Sequence, residues 1–138
     1  MSFQPAKYFL FALTILFCAT FAYGQNEIDS LKLALKNAKH DTTRCNILNE
    51  LAETASDEEW PVYNEQLQKL AEKCAASAKT TALKEFYLKN LAGALNNIGF
   101  LAWQQGDISK ALEFYHKSLK IQEEILDKEG IAASLNNI

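Results

Sequence analysis

The sequence predicts an all-α fold, a solenoid of antiparallel helix pairs, and three observations carry that reading. Residues 95–119 form two amphipathic stretches around a tight turn. Leu95, Ile98, Gly99 and Ala102 fall three or four apart and share one helical face, as do Ala111, Leu112, Tyr115, Ser118 and Leu119. The pattern also recurs: Ser134-Leu135-Asn136-Asn137-Ile138 copies Ala94-Leu95-Asn96-Asn97-Ile98 at a period of 40 residues. A weaker copy, Leu48-Asn49-Glu50-Leu51-Ala52, lies 47 residues upstream of Leu95. Repeats of this length bury their apolar faces by stacking on one another. Finally, 138 residues contain only five glycines and two prolines and no run of period two, which favours helix over strand.

The elements follow in chain order. Residues 8–23 are an apolar run without a charge, preceded by Lys7 and ending Ala22-Tyr23-Gly24. At 16 residues the run is short for a membrane span, which needs ~20. It has the form of a secretory signal peptide, so residues 1–24 are expected to be cleaved after Gly24 and the protein to be exported, periplasmic or extracellular. An uncleaved segment would tether it to the membrane. Cys18 does not read as a lipoprotein site, because bulky Phe17 precedes it.

Residues 25–138 then form the helical domain. Within it, residues 25–40 are a capping helix with the stripe Ile28, Leu31, Leu35 and Ala38, which Asn26 can cap. Repeat 1 covers 41–79. Its first helix, 42–55, turns Cys45, Leu48, Leu51, Ala52 and Ala55 inward. Its second is expected to open on Asp57-Glu58-Glu59, acidic residues that suit the positive end of a helix dipole, with Trp60-Pro61 in the first turn. Tyr63, Leu67, Leu70, Ala71, Cys74 and Ala78 face inward along it.

Repeat 2 covers 80–130. Its long first helix, 80–105, carries one stripe: Leu83, Phe86, Tyr87, Leu91, Leu95, Ile98 and Ala102. Gly106 suits the left-handed residue that closes this helix, and Asp107 caps the next, 107–126. Gly99 and Ala111 have almost no side chain and sit where the two helices cross. Residues 131–138 begin repeat 3. They end at the position matching Ile98 with no second helix to cover them, so the chain is expected to be the front of a longer protein, with self-association through the uncapped end as an alternative.

The small and large residues at these spacings resemble the tetratricopeptide repeat, whose signature is W-x2-L-G-x2-Y followed by A-x3-F and P. Leu95, Ile98, Gly99 and Ala102 match its first part, and Ala111 with Tyr115 its second. Leu95 stands for the Trp, Ala102 for the Tyr, and the Pro is missing. The resemblance implies a right-handed superhelix. The unit is longer than the ~34 residues of that family, as in the long-helix repeats of kinesin light chains. Residues 29–35, Asp-Ser-Leu-Lys-x-Ala-Leu, and 41–52, Asp-Thr-Thr-Arg-x-Asn-x-Leu-Asn-Glu-Leu-Ala, resemble the extracytoplasmic front region of bacterial sensor histidine kinases and related regulators. That resemblance implies the sensing or interaction region of a longer envelope signalling protein. A free-standing secreted adaptor or assembly factor is the alternative.

A formal net charge of −3 gives no basis for nucleic-acid binding. There is no Gly-rich phosphate loop, metal-ligand spacing or nucleophile signature, so neither catalysis nor a cofactor is expected, and any catalytic module would lie beyond Ile138. His40 and His116 read as solvated, as do Glu113, Glu123 and Glu124. Cys45 and Cys74 fall at neighbouring ends of an antiparallel pair, either bridged or simply packed. A bridge would close 29 residues, worth ~3–4 kcal/mol by loop entropy.

Binding is expected in the concave groove, where the first helix of each pair faces a protein or an extended peptide. Asn49, Asn96 and Asn136 are equivalent there, followed by Glu50, Asn97 and Asn137, with Phe100, Trp103 and Gln104 one or two turns on. The kinesin-light-chain resemblance implies that Asn97 and Asn137 grip peptide backbone. The alternative is that the asparagines bridge adjacent repeats. For Trp103, the alternative is packing within its own pair.

Overall fold

A computed structural model describes residues 27–138, which form six helices with no strand among them. The signal-segment, Cys18 and Asn26 readings lie outside these residues. In chain order the helices are α1 (27–37), α2 (Asp41–Thr54), α3 (Trp60–Ser77), α4 (Thr81–Gln104), α5 (Ile108–Glu124) and α6 (Lys128–Asn137). Short connections turn the chain back on itself, and from α2 to α6 each helix packs antiparallel on the next. The side chains agree with this direction. Cys74, late in α3, donates to Asp41 at the start of α2, and Lys84, early in α4, reaches Glu124 at the end of α5.

Local chemistry sets each boundary. Thr80 caps α4, its Oγ1 accepting from the Leu83 N–H at 3.2 Å. Asp107 does the same for α5, accepting from the Lys110 N–H at 3.1 Å. Between them Gly106 takes φ +78°, and its N–H and that of Asp107 donate to Trp103 O and Ala102 O, both at 2.9 Å. The α5–α6 turn repeats this pattern with Leu126 in the glycine's place, at φ 57°. Closure at Leu126 lets α6 begin at Lys128, three residues before the expected 131.

A second boundary also moves. Asp57, Glu58 and Glu59 form a turn ahead of α3, in which the Glu59 and Trp60 N–H groups both donate to Ser56 O. A helix opening at Asp57 would need an N–H from Pro61 to the Asp57 carbonyl. Proline has none, and its ring collides with that carbonyl. The regular helix therefore starts at Trp60.

One core joins α2, α3 and α4 through Cys45, Leu48, Leu67, Cys74, Ala75, Tyr87 and Ala94. A second, Ala102 with Ala111 and Tyr115, lies between α4 and α5. α4 belongs to both, so Ala92 and Ala94 are buried beside the expected stripe, while Leu83 at its exposed start is not. At Gly99 the helices meet closely: an added Cβ would lie 2.7 Å from the Tyr115 ring and 3.1 Å from Ala111 O.

Polar pins set the register of this packing. Buried Asn64 donates to Ala94 O and accepts from Asn97 Nδ2, both at 3.0 Å. Buried Ser118 donates to Ala92 O at 2.7 Å, and Ser134 donates to Gln122 Oε1 at 2.7 Å, tying α6 to α5. No buried side-chain N or O among the described residues lacks a partner. Asn64 and Gln122 were not among the expected inward residues.

Candidate functional site

α2, α4 and α6 lie on one side of the stack and line a groove of about 560 Å³. α4 forms its floor through Phe86, Lys89, Gly93 and Asn96, spaced three or four apart and so on one face. Asn49 and Glu53 of α2 line one wall, and Glu129, Gly130 and Ala133 of α6 the other.

Of the asparagines expected here, Asn49, Asn96 and Asn97 line the groove. Each is already engaged. Asn49 Nδ2 donates to Glu53 at 2.7 Å, Asn96 Oδ1 accepts from Asn137 at 3.1 Å, and Asn97 Nδ2 donates to Asn64 at 3.0 Å. The Asn96–Asn137 and Asn97–Asn64 bonds link helices, the alternative role foreseen for such residues. A carboxamide has two N–H groups and an oxygen with two lone pairs, so one bond does not exhaust it.

Phe100, Trp103, Asn136 and Asn137 lie elsewhere. With Tyr115 they line a separate hollow of about 260 Å³. Phe100 and Trp103 stack with centroids 5.9 Å apart, and Trp103 is 55% exposed, so it does not pack into its pair. The Asn137–Asn96 bond joins the hollow's wall to the groove's floor. Gln104 is exposed at the end of α4 and lines neither. The eight expected residues thus divide between two neighbouring depressions, with Gln104 outside both.

Sequence reasoning missed Lys89, Gly93, Glu53 and Glu129. The signal for Gly93 was present. Glycine inside a helix costs roughly 0.5–1 kcal/mol relative to alanine, and it persists where backbone must be approached closely. Gly99 has such a neighbour in Tyr115. Gly93 has nothing within 4 Å of an added Cβ, and it opens onto the groove floor.

The cysteines lie away from the groove. Cys45 and Cys74 are buried in one core as free thiols, and Cys74 Sγ donates to Asp41 Oδ2 at 3.6 Å. Loss of solvation, then the neighbouring Cys74, pushes the Cys45 thiol up to about 12 from 9.0. Burial and the Asp41 carboxylate raise Cys74 as well. A thiol whose pKa is raised by folding contributes stability that is complete below its unfolded pKa. That contribution is lost as pH rises toward the folded pKa. The urea midpoint is therefore expected to fall from pH 9.0 toward about 12, with a flatter fall in Cys45→Ala. Equal alkaline slopes in the two proteins would contradict this assignment.

Among the described residues, no group of three or more His, Cys, Asp or Glu side chains is placed to hold a metal ion, and no helix is long and apolar enough to cross a membrane. Comparison with protein-family models, with curated proteins and with solved structures finds no match to this chain.

Proposed function

We propose that this chain is a non-catalytic, tetratricopeptide-type binding module whose α2–α4–α6 groove takes an extended peptide or an extended segment of a partner protein. The observation that carries the reading is Gly93: a helix-interior glycine with open space above it, on the groove floor. A peptide backbone can lie closest to a helix where no Cβ stands in the way. Asn90, Asn96 and Asn97 flank that point with amides suited to peptide N–H and C=O groups. The Leu-Asn-Asn-Ile recurrence and the Gly99–Tyr115 contact support the repeat type, with a right-handed superhelix as its expected form. The apolar run at 8–23 supports export, and the segments at 29–35 and 41–52 support the sensing region of a longer envelope protein.

The test begins with selection of random-sequence displayed peptides on the full chain. Gly93→Tyr fills the groove from a position where a Cβ meets nothing, so the fold should tolerate it. Selected peptides should bind Gly93→Tyr about tenfold or more weakly than the native chain. Failure to enrich any peptide, or equal binding to both proteins, would contradict the reading.

A further inference from the structure

We infer that the groove's ligand is a basic segment, an extended peptide whose Lys or Arg side chains lie between Glu53 and Glu129. This rests on the groove reading above and adds the chemistry of the partner.

The argument is one of charge. Four charged side chains line the groove: Glu53 on α2, Lys89 on α4, Asp127 in the turn before α6, and Glu129 on α6. Lys89 pairs with Asp127 at 3.4 Å, which cancels both. Glu53 accepts from the neutral Asn49 amide, a bond that leaves its charge intact. The nearby Lys84 is directed to Glu124 instead. Two negative charges, Glu53 and Glu129, therefore stand on opposite walls with α4 between them. A strand lying along the floor at Gly93 would pass between the two carboxylates. Its backbone would meet the asparagines, and its cationic side chains would reach either wall. An acidic segment would meet repulsion from both walls.

The probes are three short fluorescein-labelled peptides of one Ala/Ser/Thr background, carrying Lys, Gln or Glu at the same alternate positions. Each is titrated against the full chain by anisotropy at low and high salt. The Lys peptide should bind about tenfold tighter than the Gln peptide at low salt, with a smaller ratio at high salt. Glu53→Gln combined with Glu129→Gln should bring that ratio close to one. Equal affinities for the Lys and Gln peptides, a Lys preference that survives the double substitution, or binding of none of the three would overturn the inference. If Lys-peptide binding also survives Gly93→Tyr, the groove reading itself fails. Loss in Gly93→Tyr without any Lys preference overturns the charge inference alone.

Discussion

Gly99→Ala is expected to destabilise the fold by about 2 kcal/mol, while Gly93→Ala, six residues earlier in the same helix, is expected to stabilise it by roughly 0.5–1 kcal/mol. The intrinsic term is the same at both positions: alanine is the better helix former by about 1 kcal/mol. The surroundings decide the sign. At Gly99 the new methyl would lie 2.7 Å from two carbons of the Tyr115 ring and 3.1 Å from Ala111 O. Tyr115 is 3% exposed and packed with Ala102 and Ala111, so the ring yields only by giving up those contacts, and the Ala111 carbonyl moves only if α5 moves. Overpacking of this kind typically costs about 1–3 kcal/mol. At Gly93 the methyl meets nothing within 4 Å. Urea unfolding of the two variants beside the native chain gives both signs in one experiment. Equal shifts would mean that the α4–α5 crossing does not depend on Gly99.

The largest loss is expected from Leu67→Ala, about 2–5 kcal/mol, against less than about 0.5 kcal/mol for Val62→Ala in the same helix. Leu67 is fully buried in the core shared by α2, α3 and α4, whereas Val62 is 53% exposed. Deleting Leu67 loses its transfer free energy and leaves a cavity that three helices must close together. For a domain whose total stability is of order 5–15 kcal/mol, the upper end of that range removes much of the folded population. Circular dichroism during urea titration should show one cooperative transition shifted to lower denaturant. A shift no larger than that of Val62→Ala would mean that the three helices do not share a core at Leu67.

These outcomes also mark what was legible in the sequence. Helical periodicity located α2 to α5 closely, because each buries a stripe that repeats every three or four residues. The Gly99–Ala111 crossing and the Gly106-Asp107 turn were readable because glycine and a capping carboxylate have few other uses there. The opening of α3 was misread, since acidic residues suit a helix start while Pro61 acts on the carbonyl four residues before it. Leu126 concealed the last turn by adopting a backbone conformation normally left to glycine. Asn64 and Gln122 were hidden because a polar side chain in a helix gives no sign of being buried until its partners, Ala94 and Ser134, are placed beside it.

The candidate site divided in a similar way. Repetition of Leu-Asn pointed to Asn49 and Asn96, and the second asparagine of the later copies to Asn97, and all three line the groove. It carried no information about Lys89, Gly93 or Glu129, which do not recur. Repetition also grouped Asn136 and Asn137 with the groove, and helical spacing Phe100 and Trp103, although all four line the adjoining hollow. Position along a helix was readable, but the wall against which a side chain ends was decided by how α6 returns onto α4.

The central claim is that the face of α4 around Gly93 is the ligand-contacting face. The most direct measurement is an amide chemical-shift map of the full chain, titrated with a peptide selected on it. The account predicts that the largest shifts fall at Asn49, Lys89, Gly93 and Asn96, on two helices but along one groove. Shifts concentrated instead around Trp60, Gln68 and Leu101, which line a hollow between α3 and α4, would contradict it.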